Sequence, residues 1–281
     1  FFQAEDGIRD NQPTVLRVIN DSPAAKAGLQ KGDVFVLVNG ESMNGKTAAD
    51  VASKVRGDAG TTVKLAMRRG ETKQEYAITR AQVNDPSVRW DVINGAGVMT
   101  ISRFDEQTGT LARRAAQEFI DKQVKGVVLD LRDNGGGYLT AAQALASVWL
   151  NDQVVVTEKT GGKVVDTVKT ERHALLGDMK TVVLTNGNTA SASEIVAGAL
   201  QEYGKATLIG EKTYGKGTVQ KIVNLSDGRI LKVTTARWYT PKGKNITKEG
   251  ITPDKTIHIT KDDANAGKDT QMEAAQSVLA S

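Results

Sequence analysis

The chain has 281 residues, of which 39% are hydrophobic and 25% are charged, so it is long enough for one large domain and one small one. Its 37 basic and 33 acidic residues give a net charge of +4 and are spread along the chain, which argues against a nucleic-acid-binding protein. The absence of cysteine excludes disulfides and thiolate metal sites, and no apolar run approaches the roughly 20 residues that span a bilayer.

The first twelve residues show no periodicity that joins them to the rest of the chain. They begin with Phe1 and have neither the charged start nor the apolar core of a signal peptide. We therefore expect residues 1–12 to be a disordered tail or a junction foreign to the natural protein. The chain as a whole is then a fragment or a processed form.

Residues 13–81 predict a small unit of strands and two helices. Ser22 followed by proline starts a short helix that ends at Gly28, and residues 47–56 have the spacing of an amphipathic helix. The β-branched and apolar runs that predict strands are residues 14–19, 33–38, 63–67 and 75–79.

Residues 88–260 predict a second, larger unit. An apolar strand at residues 126–131 leads into a glycine-rich loop and a helix, and the strand at residues 181–185 leads into a polar turn and another helix. This repetition of strand, loop and helix predicts a layered α/β core. Other predicted elements are two strands within 88–103, a helix at 107–122, strands within 218–223 and 229–240, a polar linker at 261–268 and a helix at 270–280.

Ser191 lies where a predicted strand gives way to a helix. The first N–H groups of a helix have no intrahelical partner and carry the positive end of the helix dipole, so they can stabilise an oxyanion. A serine at this place can attack a carbonyl group and have the resulting anion stabilised. The alternative is an ordinary N-cap, since Ser191, Ser193 and Glu194 also fit capping chemistry.

A serine nucleophile needs a base, and the chain has only two histidines, His173 in a polar connection and His258 in a short strand-like segment. Lysine can serve as the base where its surroundings favour the neutral amine. Lys216 lies between two glycines, which allow close backbone approach, and it opens a β-rich run. We therefore interpret Ser191 and Lys216 as a nucleophile and its base.

Residues 210–216 also fit Gly-x-x-x-x-Gly-Lys, the start of a phosphate-binding loop. The next residue is Gly217, where a serine or threonine would hold Mg²⁺, and the segment that follows is strand-like rather than helical. Nucleotide binding is therefore the weaker interpretation of this stretch.

The sequence Ser-Ala-Ser-Glu at residues 191–194 and the sequence Gly-Glu-Lys-Thr-Tyr-Gly-Lys-Gly-Thr-Val-Gln at residues 210–220 resemble the carboxyl-terminal processing (tail-specific) protease family. The separation of 25 residues between Ser191 and Lys216 matches the pattern of that family. Residues 22–33 and the Val-Asn-Gly that follows at 38–40 resemble the circularly permuted PDZ domain of the same proteases.

The resemblance implies a fold of class α/β (α+β), with a crotonase-like layered catalytic core at residues 88–260. A PDZ domain at residues 13–81 precedes the core, and a linker and C-terminal helix at residues 261–281 follow it. The family's PDZ domain begins with a Gly-apolar-Gly segment that binds a peptide carboxylate, and nothing before Pro13 matches it. We therefore expect the PDZ domain to be truncated.

The resemblance also implies roles for individual residues. Ser191 is the nucleophile, Lys216 the general base, and Gln220 the polar partner that orients the lysine. Glu202 occupies a position where some family members carry an acidic residue that matters for activity, although it also fits a solvated charge at a helix end.

Residues 130–137 resemble the second signature of the family, in which Gly135 replaces the usual proline, so we expect a more flexible loop before substrate binds. In the family this loop supplies one backbone N–H of the oxyanion hole, here near Gly135 or Gly136, and Ala192 supplies the other. The alternative is a plain turn at the start of a helix. Three successive glycines fit a backbone that comes close to another group.

The function implied is that of a serine endopeptidase that hydrolyses peptide bonds near the C-termini of protein substrates, without a metal ion or cofactor. Its partners would be protein or peptide C-termini, and its location extracytoplasmic, in the periplasm or cell envelope. The resemblance allows a membrane anchor before Phe1 and a homo-oligomer. The alternative is a catalytically inactive PDZ-containing scaffold protein, against which the intact Ser191, Lys216 and Gln220 argue.

Overall fold

A computed structural model of the chain describes residues 2–5, 13–19, 22–83, 85–224 and 230–280; at residues 2–5, 16, 220–224, 230, 232 and 265 it describes the backbone alone. The chain divides into two compact units, Phe1–Asp85 and Pro86–Ser281. Each unit has its own hydrophobic core. Within the described ranges, no helix has the length and apolar character needed to cross a membrane.

The first unit is an antiparallel sheet with two short helices, and its strand order is β1-β2-β3-β5-β6, with β4 paired to β3. Its core includes the fully buried side chains of Phe35, Met43 and Val51. The elements are β1 (Phe2–Glu5), β2 (Thr14–Val18), α1 (Pro23–Lys26), β3 (Val34–Val38), β4 (Glu41–Ser42), α2 (Ala48–Val55), β5 (Thr62–Arg69) and β6 (Thr72–Thr79).

Both helices of this unit begin at the capping residues that the sequence offers. The Ser22 hydroxyl accepts a hydrogen bond from the N–H of Ala25 at 3.2 Å, with proline at the first helical position. At α2 the Thr47 hydroxyl accepts from the N–H of Asp50 at 3.2 Å, and the Asp50 carboxylate accepts from the N–H of Thr47 at 2.8 Å. Both predicted helices therefore begin where a side chain accepts a hydrogen bond from a backbone N–H group that has no partner within the helix.

Residues 2–5 do not follow the expectation of a disordered tail, because they form β1 and pair antiparallel with β2, with Phe2 opposite Val18. Strand pairing uses backbone N–H and C=O groups, so it does not require the apolar alternation that the sequence lacks here. Residues 1 and 6–12 lie outside the described residues. The expected truncation of the PDZ domain falls largely on them and stays a prediction.

The second unit is built around a six-stranded sheet with the order β16-β13-β12-β9-β8-β7, parallel except for the edge strand β7. The predicted layered α/β core is thereby confirmed. Its elements are β7 (Val88–Ile93), β8 (Ala96–Ile101), α3 (Thr108–Asp121), β9 (Val127–Asp130), α4 (Leu139–Ala146), β10 (Val154–Thr160), β11 (Lys163–Lys169), β12 (Thr181–Thr185), α5 (Ala192–Glu202), β13 (Thr207–Gly210), β14 (Thr218–Asn224), β15 (Ile230–Tyr239), β16 (Lys255–Thr256), α6 (Lys261–Asn265) and α7 (Thr270–Ala280).

The central strands are buried on both faces, which explains their unbroken apolar sequence. Alternate residues such as Leu129 and Val183 join the core beneath α3, α4 and α5. Their neighbours, such as Val128 and Val182, join a second core to which α7 contributes Leu279. The C-terminal helix is therefore a layer of this unit, and the predicted linker before it contains the short helix α6.

A second sheet, with the antiparallel order β11-β10-β15-β14, completes the unit. The sequence analysis did not identify its β10–β11 hairpin. The hairpin turns at Gly161 and Gly162, both with positive φ, and on β11 even Val164 is 59% exposed. Because every residue of β11 except the partly buried Val168 is exposed, its sequence carries no alternation from which a strand could be predicted.

Gly97 of β8 packs directly against Phe119 of α3. A methyl group at this position would be 2.7 Å from Cγ of the fully buried Phe119. We expect Gly97→Ala to lower the free energy of unfolding by about 1–3 kcal/mol, because overpacking forces the ring and backbone apart. Urea denaturation measures the change, and Thr100→Ala, at an exposed position of the same strand, should stay within about 0.5 kcal/mol of the wild type. Equal stability of Gly97→Ala and the wild type would contradict this packing.

Candidate active site

The two loops that carry the predicted site both follow parallel strands that are neighbours in the sheet, β9 and β12. Since the carboxyl ends of adjacent parallel strands meet at one edge of a sheet, the loops lie side by side. Reciprocal hydrogen bonds join them: the N–H of Asp133 donates to Asn186 Oδ1 at 3.0 Å, and Asn186 Nδ2 donates to Asp133 Oδ1 at 2.8 Å. The glycine-rich loop and the turn before Ser191 therefore hold each other in place.

Ser191 sits directly before α5 in a backbone conformation that serine rarely adopts, with φ 57° and ψ −116°. Its carbonyl oxygen accepts hydrogen bonds from the N–H groups of Glu194 at 2.9 Å and Ile195 at 3.0 Å, which start the helix. Strained backbone of this kind persists only where surrounding contacts impose it, and it is concentrated at functional sites. The serine therefore occupies a sharp, held turn from strand to helix.

The glycine-rich loop approaches Ser191 more closely than any side chain would allow. A Cβ atom at Gly136, whose φ is +98°, would lie 2.8 Å from Ser191 Cβ and 2.8 Å from the nitrogen of Ala192. The N–H of Gly136 itself donates to Asn134 Oδ1 at 2.9 Å. In the described part of the chain the N–H groups of Gly135 and Ala192 have no acceptor. Of the three predicted oxyanion donors, Gly135 and Ala192 are therefore available, and Gly136 is engaged elsewhere.

Asn134 is a buried hub that the sequence analysis did not identify as a site residue. Its side-chain Nδ2 donates to the carbonyl oxygen of Ile101 on β8 at 2.8 Å. Its own carbonyl oxygen accepts from the N–H of Ala190 at 3.0 Å and from the hydroxyl of Ser193 at 2.9 Å. One buried residue thus ties the glycine-rich loop both to the sheet and to the segment that carries Ser191.

Glu194 connects the predicted nucleophile to the predicted base. Its side chain is completely buried, and its Oε2 accepts from the N–H of Ser191 at 2.8 Å and from the N–H of Lys216 at 2.9 Å. Its Oε1 accepts from the hydroxyl of Thr213 at 2.5 Å and from the N–H of Gly215 at 2.7 Å. Burial of a carboxylate is costly unless it is hydrogen-bonded, and these four donors meet that need. The capping role fitted the sequence, but the contacts with the Lys216 segment were missed.

Lys216 is held by its backbone on both sides. Besides its N–H contact with Glu194, its carbonyl oxygen accepts a hydrogen bond from Trp238 Nε1 at 2.8 Å. Its side chain is half-buried, and the hydrogen bonds among the described residues do not include one between Lys216 Nζ and Ser191 Oγ. The structure therefore brings the two residues to the same carboxylate through their backbones, and the lysine side chain remains the adjustable part of the pair.

The glycines on either side of Lys216 allow its segment to pack against residues 245–250. A Cβ atom at Gly215, where φ is +88°, would lie 2.8 Å from the nitrogen of Gly250. A Cβ atom at Gly217 would lie 2.6 Å from Thr247 Oγ1 and 2.7 Å from its nitrogen. The close backbone approach expected for these glycines is therefore an approach to this loop.

The remaining predicted positions lie elsewhere. Gln220 is on β14, where its backbone pairs with Thr234; its side chain lies outside the described ones, so its role stays a prediction. Glu202 is eleven residues along α5 from Ser191, a distance of about 16 Å at 1.5 Å per residue. Its carboxylate accepts from the hydroxyl of Thr240 and from the N–H of Lys242, both at 2.7 Å. These contacts anchor the far end of the helix, and the accessory role of Glu202 stays a prediction.

Neither histidine has a contact that would make it the base. His258 is 70% exposed at its side chain, and its Nδ1 lies 3.0 Å from the Glu211 carboxylate. His173 lies outside the helices and strands, and its carbonyl oxygen accepts a hydrogen bond from Arg113. Across the described ranges, no group of three or more His, Asp or Glu side chains could hold a metal ion.

Comparison with known proteins identifies a peptidase family and a PDZ domain in this chain. The model of peptidase family S41 matches residues 95–257, and a PDZ-domain model matches residues 14–69. A probable CtpA-like serine protease of Staphylococcus haemolyticus is 38% identical over 256 residues, which cover 90% of this chain and 52% of that protein. One from Staphylococcus epidermidis is 37% identical over 260 residues, covering 92% of this chain and 53% of that protein. The chain therefore spans about half the length of these curated relatives.

Solved structures show the same likeness. The photosystem II D1 C-terminal processing protease superposes with a TM-score of 0.68 and 30% sequence identity, covering 92% of this chain and 71% of that chain. A putative S41 protease from Bacteroides fragilis has the same TM-score at 22% identity, covering all of this chain and 82% of that one, which shows a shared fold.

We expect Glu194→Gln to impair the site more than the fold. The amide group would set an N–H donor against backbone N–H donors, so at least one buried donor loses its acceptor, at about 1–3 kcal/mol in the free energy of unfolding. Misplacement of Ser191 should slow its labelling by a serine-directed fluorophosphonate by roughly 100-fold. Urea denaturation and the labelling rate measure the two effects.

Glu202→Gln is the matched control for Glu194→Gln, because Glu202 accepts the same kinds of hydrogen bond at the other end of the same helix. It should lower stability while leaving the labelling rate within a few-fold of the wild type. If the two variants slow labelling equally, Glu194 has no special place at Ser191.

Gly217→Ala should displace Lys216, since the added methyl group would overlap Thr247. We expect Ser191 labelling to slow at least about tenfold in a protein that remains folded by circular dichroism. Gly187→Ala, in the turn before Ser191 but with open space around the added methyl group, is the control. Normal labelling of Gly217→Ala would show that the segment does not depend on this contact.

Proposed function

This chain belongs to peptidase family S41, and we propose that it is a serine endopeptidase that hydrolyses peptide bonds near the C-termini of protein substrates. The observation that carries the proposal is the Glu194 carboxylate, which accepts the backbone N–H groups of both Ser191 and Lys216. A buried carboxylate that fixes both segments is the arrangement expected where the Ser191 and Lys216 side chains act together. The PDZ-domain match within the first unit supports recognition of a protein substrate.

The mechanism follows from the arrangement of these groups. Ser191 Oγ attacks the carbonyl carbon of the substrate while the neutral Lys216 amine accepts the hydroxyl proton. The carbonyl oxygen becomes an oxyanion, which the N–H groups of Gly135 and Ala192 stabilise at the start of α5. The intermediate collapses to an acyl-Ser191 ester, and the leaving amine takes the proton from the Lys216 ammonium. A water molecule, deprotonated by Lys216, then hydrolyses the ester and regenerates the serine.

The catalytic step requires Lys216 Nζ to reach Ser191 Oγ. Both backbones are already fixed, so the movement is confined to the four-carbon side chain of the lysine. Gln220 follows Lys216 by four residues on β14, and we assign it the role of orienting the amine. Substrate that fills the site excludes water from the space between the amine and the serine hydroxyl.

The name of the structural neighbour states that it processes the C-terminus of the photosystem II D1 protein. For this chain we assign the same class of reaction, with unidentified protein or peptide C-termini as substrates. The proposal also includes an extracytoplasmic site of action, membrane association and homo-oligomer formation, as the sequence resemblance implies. Cell fractionation and sedimentation of the purified protein test these three points.

Two substitutions test the pair directly on an unfolded reporter protein. Ser191→Ala and Lys216→Arg should each reduce kcat by at least about 10³-fold, because arginine does not deprotonate in proteins and cannot replace the amine. A metal chelator should leave the wild-type activity unchanged, because the proposed mechanism uses no metal ion. An active arginine variant would remove lysine as the base, and activity that survives Ser191→Ala would rule out the proposed nucleophile.

A further inference from the structure

The Arg132 side chain joins the start of the glycine-rich loop to the C-terminal helix. Its Nε and Nη2 donate to the Asp130 carboxylate at 2.9 and 2.7 Å. Its Nη1 and Nη2 donate to the two oxygens of Asp269, both at 2.8 Å, and Nη1 also donates to Gln271 Oε1 at 3.2 Å. All five guanidinium N–H donors are thus used, in a geometry that only arginine can fill.

Arg132 lies three residues before Gly135, the candidate oxyanion donor of the same loop. The next two residues are fixed to other parts of the site, Asp133 to Asn186 and Asn134 to Ile101 and Ala190. Every residue from Asp130 to Asn134 except Leu131 is therefore held through its side chain, and Leu131 is fully buried. The path of the loop toward Gly135 is defined by this chain of contacts, of which Asp269 and Gln271 supply the partners farthest in sequence.

The helix α7 does not need Asp269 to stay attached. Ala275 and Leu279 are buried in the core on the outer face of the sheet, and Gln271 Nε2 donates to the carbonyl oxygen of Ile257 at 2.7 Å. The contact between Asp269 and Arg132 is thus additional to the anchoring of the helix. The contact instead holds the glycine-rich loop, in which no buried apolar side chain follows Leu131 before Gly137.

Asp269 and Arg132 are both charged at neutral pH. Burial alone would raise the pKa of Asp269, but hydrogen bonds from Arg132 and from the N–H of Met272 outweigh burial and lower it. Burial alone would lower the pKa of Arg132, but its hydrogen bonds to Asp130 and Asp269 raise it above its ordinary value. The contact is therefore a charge-assisted, bidentate ion pair, the stronger class of hydrogen bond.

We propose that Asp269 is a positioning residue for the reaction. Through Arg132 it holds in place the glycine-rich loop whose Gly135 N–H stabilises the oxyanion. The inference rests on the proposed function of the Ser191 site and extends it to a part of the chain outside residues 95–257, which the family model matches. In this arrangement the C-terminal helix acts on the site through Asp269 and Arg132.

Asp269→Asn tests the proposal. The amide removes the charge and one acceptor facing Arg132 but keeps a side chain able to cap α7, where Asp269 accepts the N–H of Met272 at 2.9 Å. With the unfolded reporter we expect kcat to fall about tenfold and KM to stay within about twofold, since only oxyanion stabilisation is weakened. Asp269→Ser, which also caps a helix but is too short for the bidentate contact, should behave the same way.

Asp262→Asn is the matched control, since Asp262 is an exposed carboxylate on the neighbouring helix α6. It should leave both kinetic constants unchanged. Unchanged kcat in Asp269→Asn, with only a lower melting temperature, would overturn the proposal. Failure of both Asp269 variants to fold would also overturn it, because α7 would then depend on Asp269 for its attachment.

Amide hydrogen exchange gives a readout that does not require activity. In Asp269→Asn, exchange at residues 133–137 should be about tenfold faster than in the wild type, while exchange in α7 stays the same. If the wild-type protein cleaves no reporter, the proposed function fails and exchange alone decides the role of Asp269. If the wild type is active but the loop and kcat are unaffected by the substitution, only the role of Asp269 fails.

Discussion

The buried carboxylate of Glu194 is the constraint on which the site depends. A carboxylate in a protein interior must be matched by donors, and the four donors here come from two segments that are far apart in the sequence, one at the start of α5 and one around residues 213–216. Neither segment can move without leaving the other with an unpaired polar group. The relative position of the serine and lysine backbones is therefore set by a single anion.

The parallel sheet brings these segments together, because β9, β12 and β13 are neighbours and all end at the same edge. The loops that follow them are short of apolar anchors, and polar contacts through Asp133, Asn134 and Asn186 take their place. A polar network that is fully paired specifies one arrangement, whereas a partly paired one does not. The result is a site with fixed backbones on both sides and one long, flexible side chain between them.

The sequence predicts the helices and strands whose apolar residues recur at regular spacing or form an unbroken apolar run, and the residues that lie in short recognisable motifs. The strands β9 and β12, the helix α5, and the pair of Ser191 and Lys216 belong to this group. The exposed strand β11 left no pattern, and the contacts of Glu194 and Asn134 join residues that only the folded chain brings together. The contacts of Glu202 with Thr240 and Lys242 also lie beyond sequence reasoning, because they join the end of α5 to residues about 40 positions later in the chain.

Helix α5 is buried at every residue from Ala192 to Leu200. At Gly198 it is packed so closely that a Cβ atom would lie 2.8 Å from Ile251 Cδ1. A helix packed on all sides over this length can neither shift along its axis nor rotate about it without creating cavities or steric clashes. The position of Ser191 therefore depends on packing about two turns along the helix, and a methyl group added at Gly198 would displace the serine.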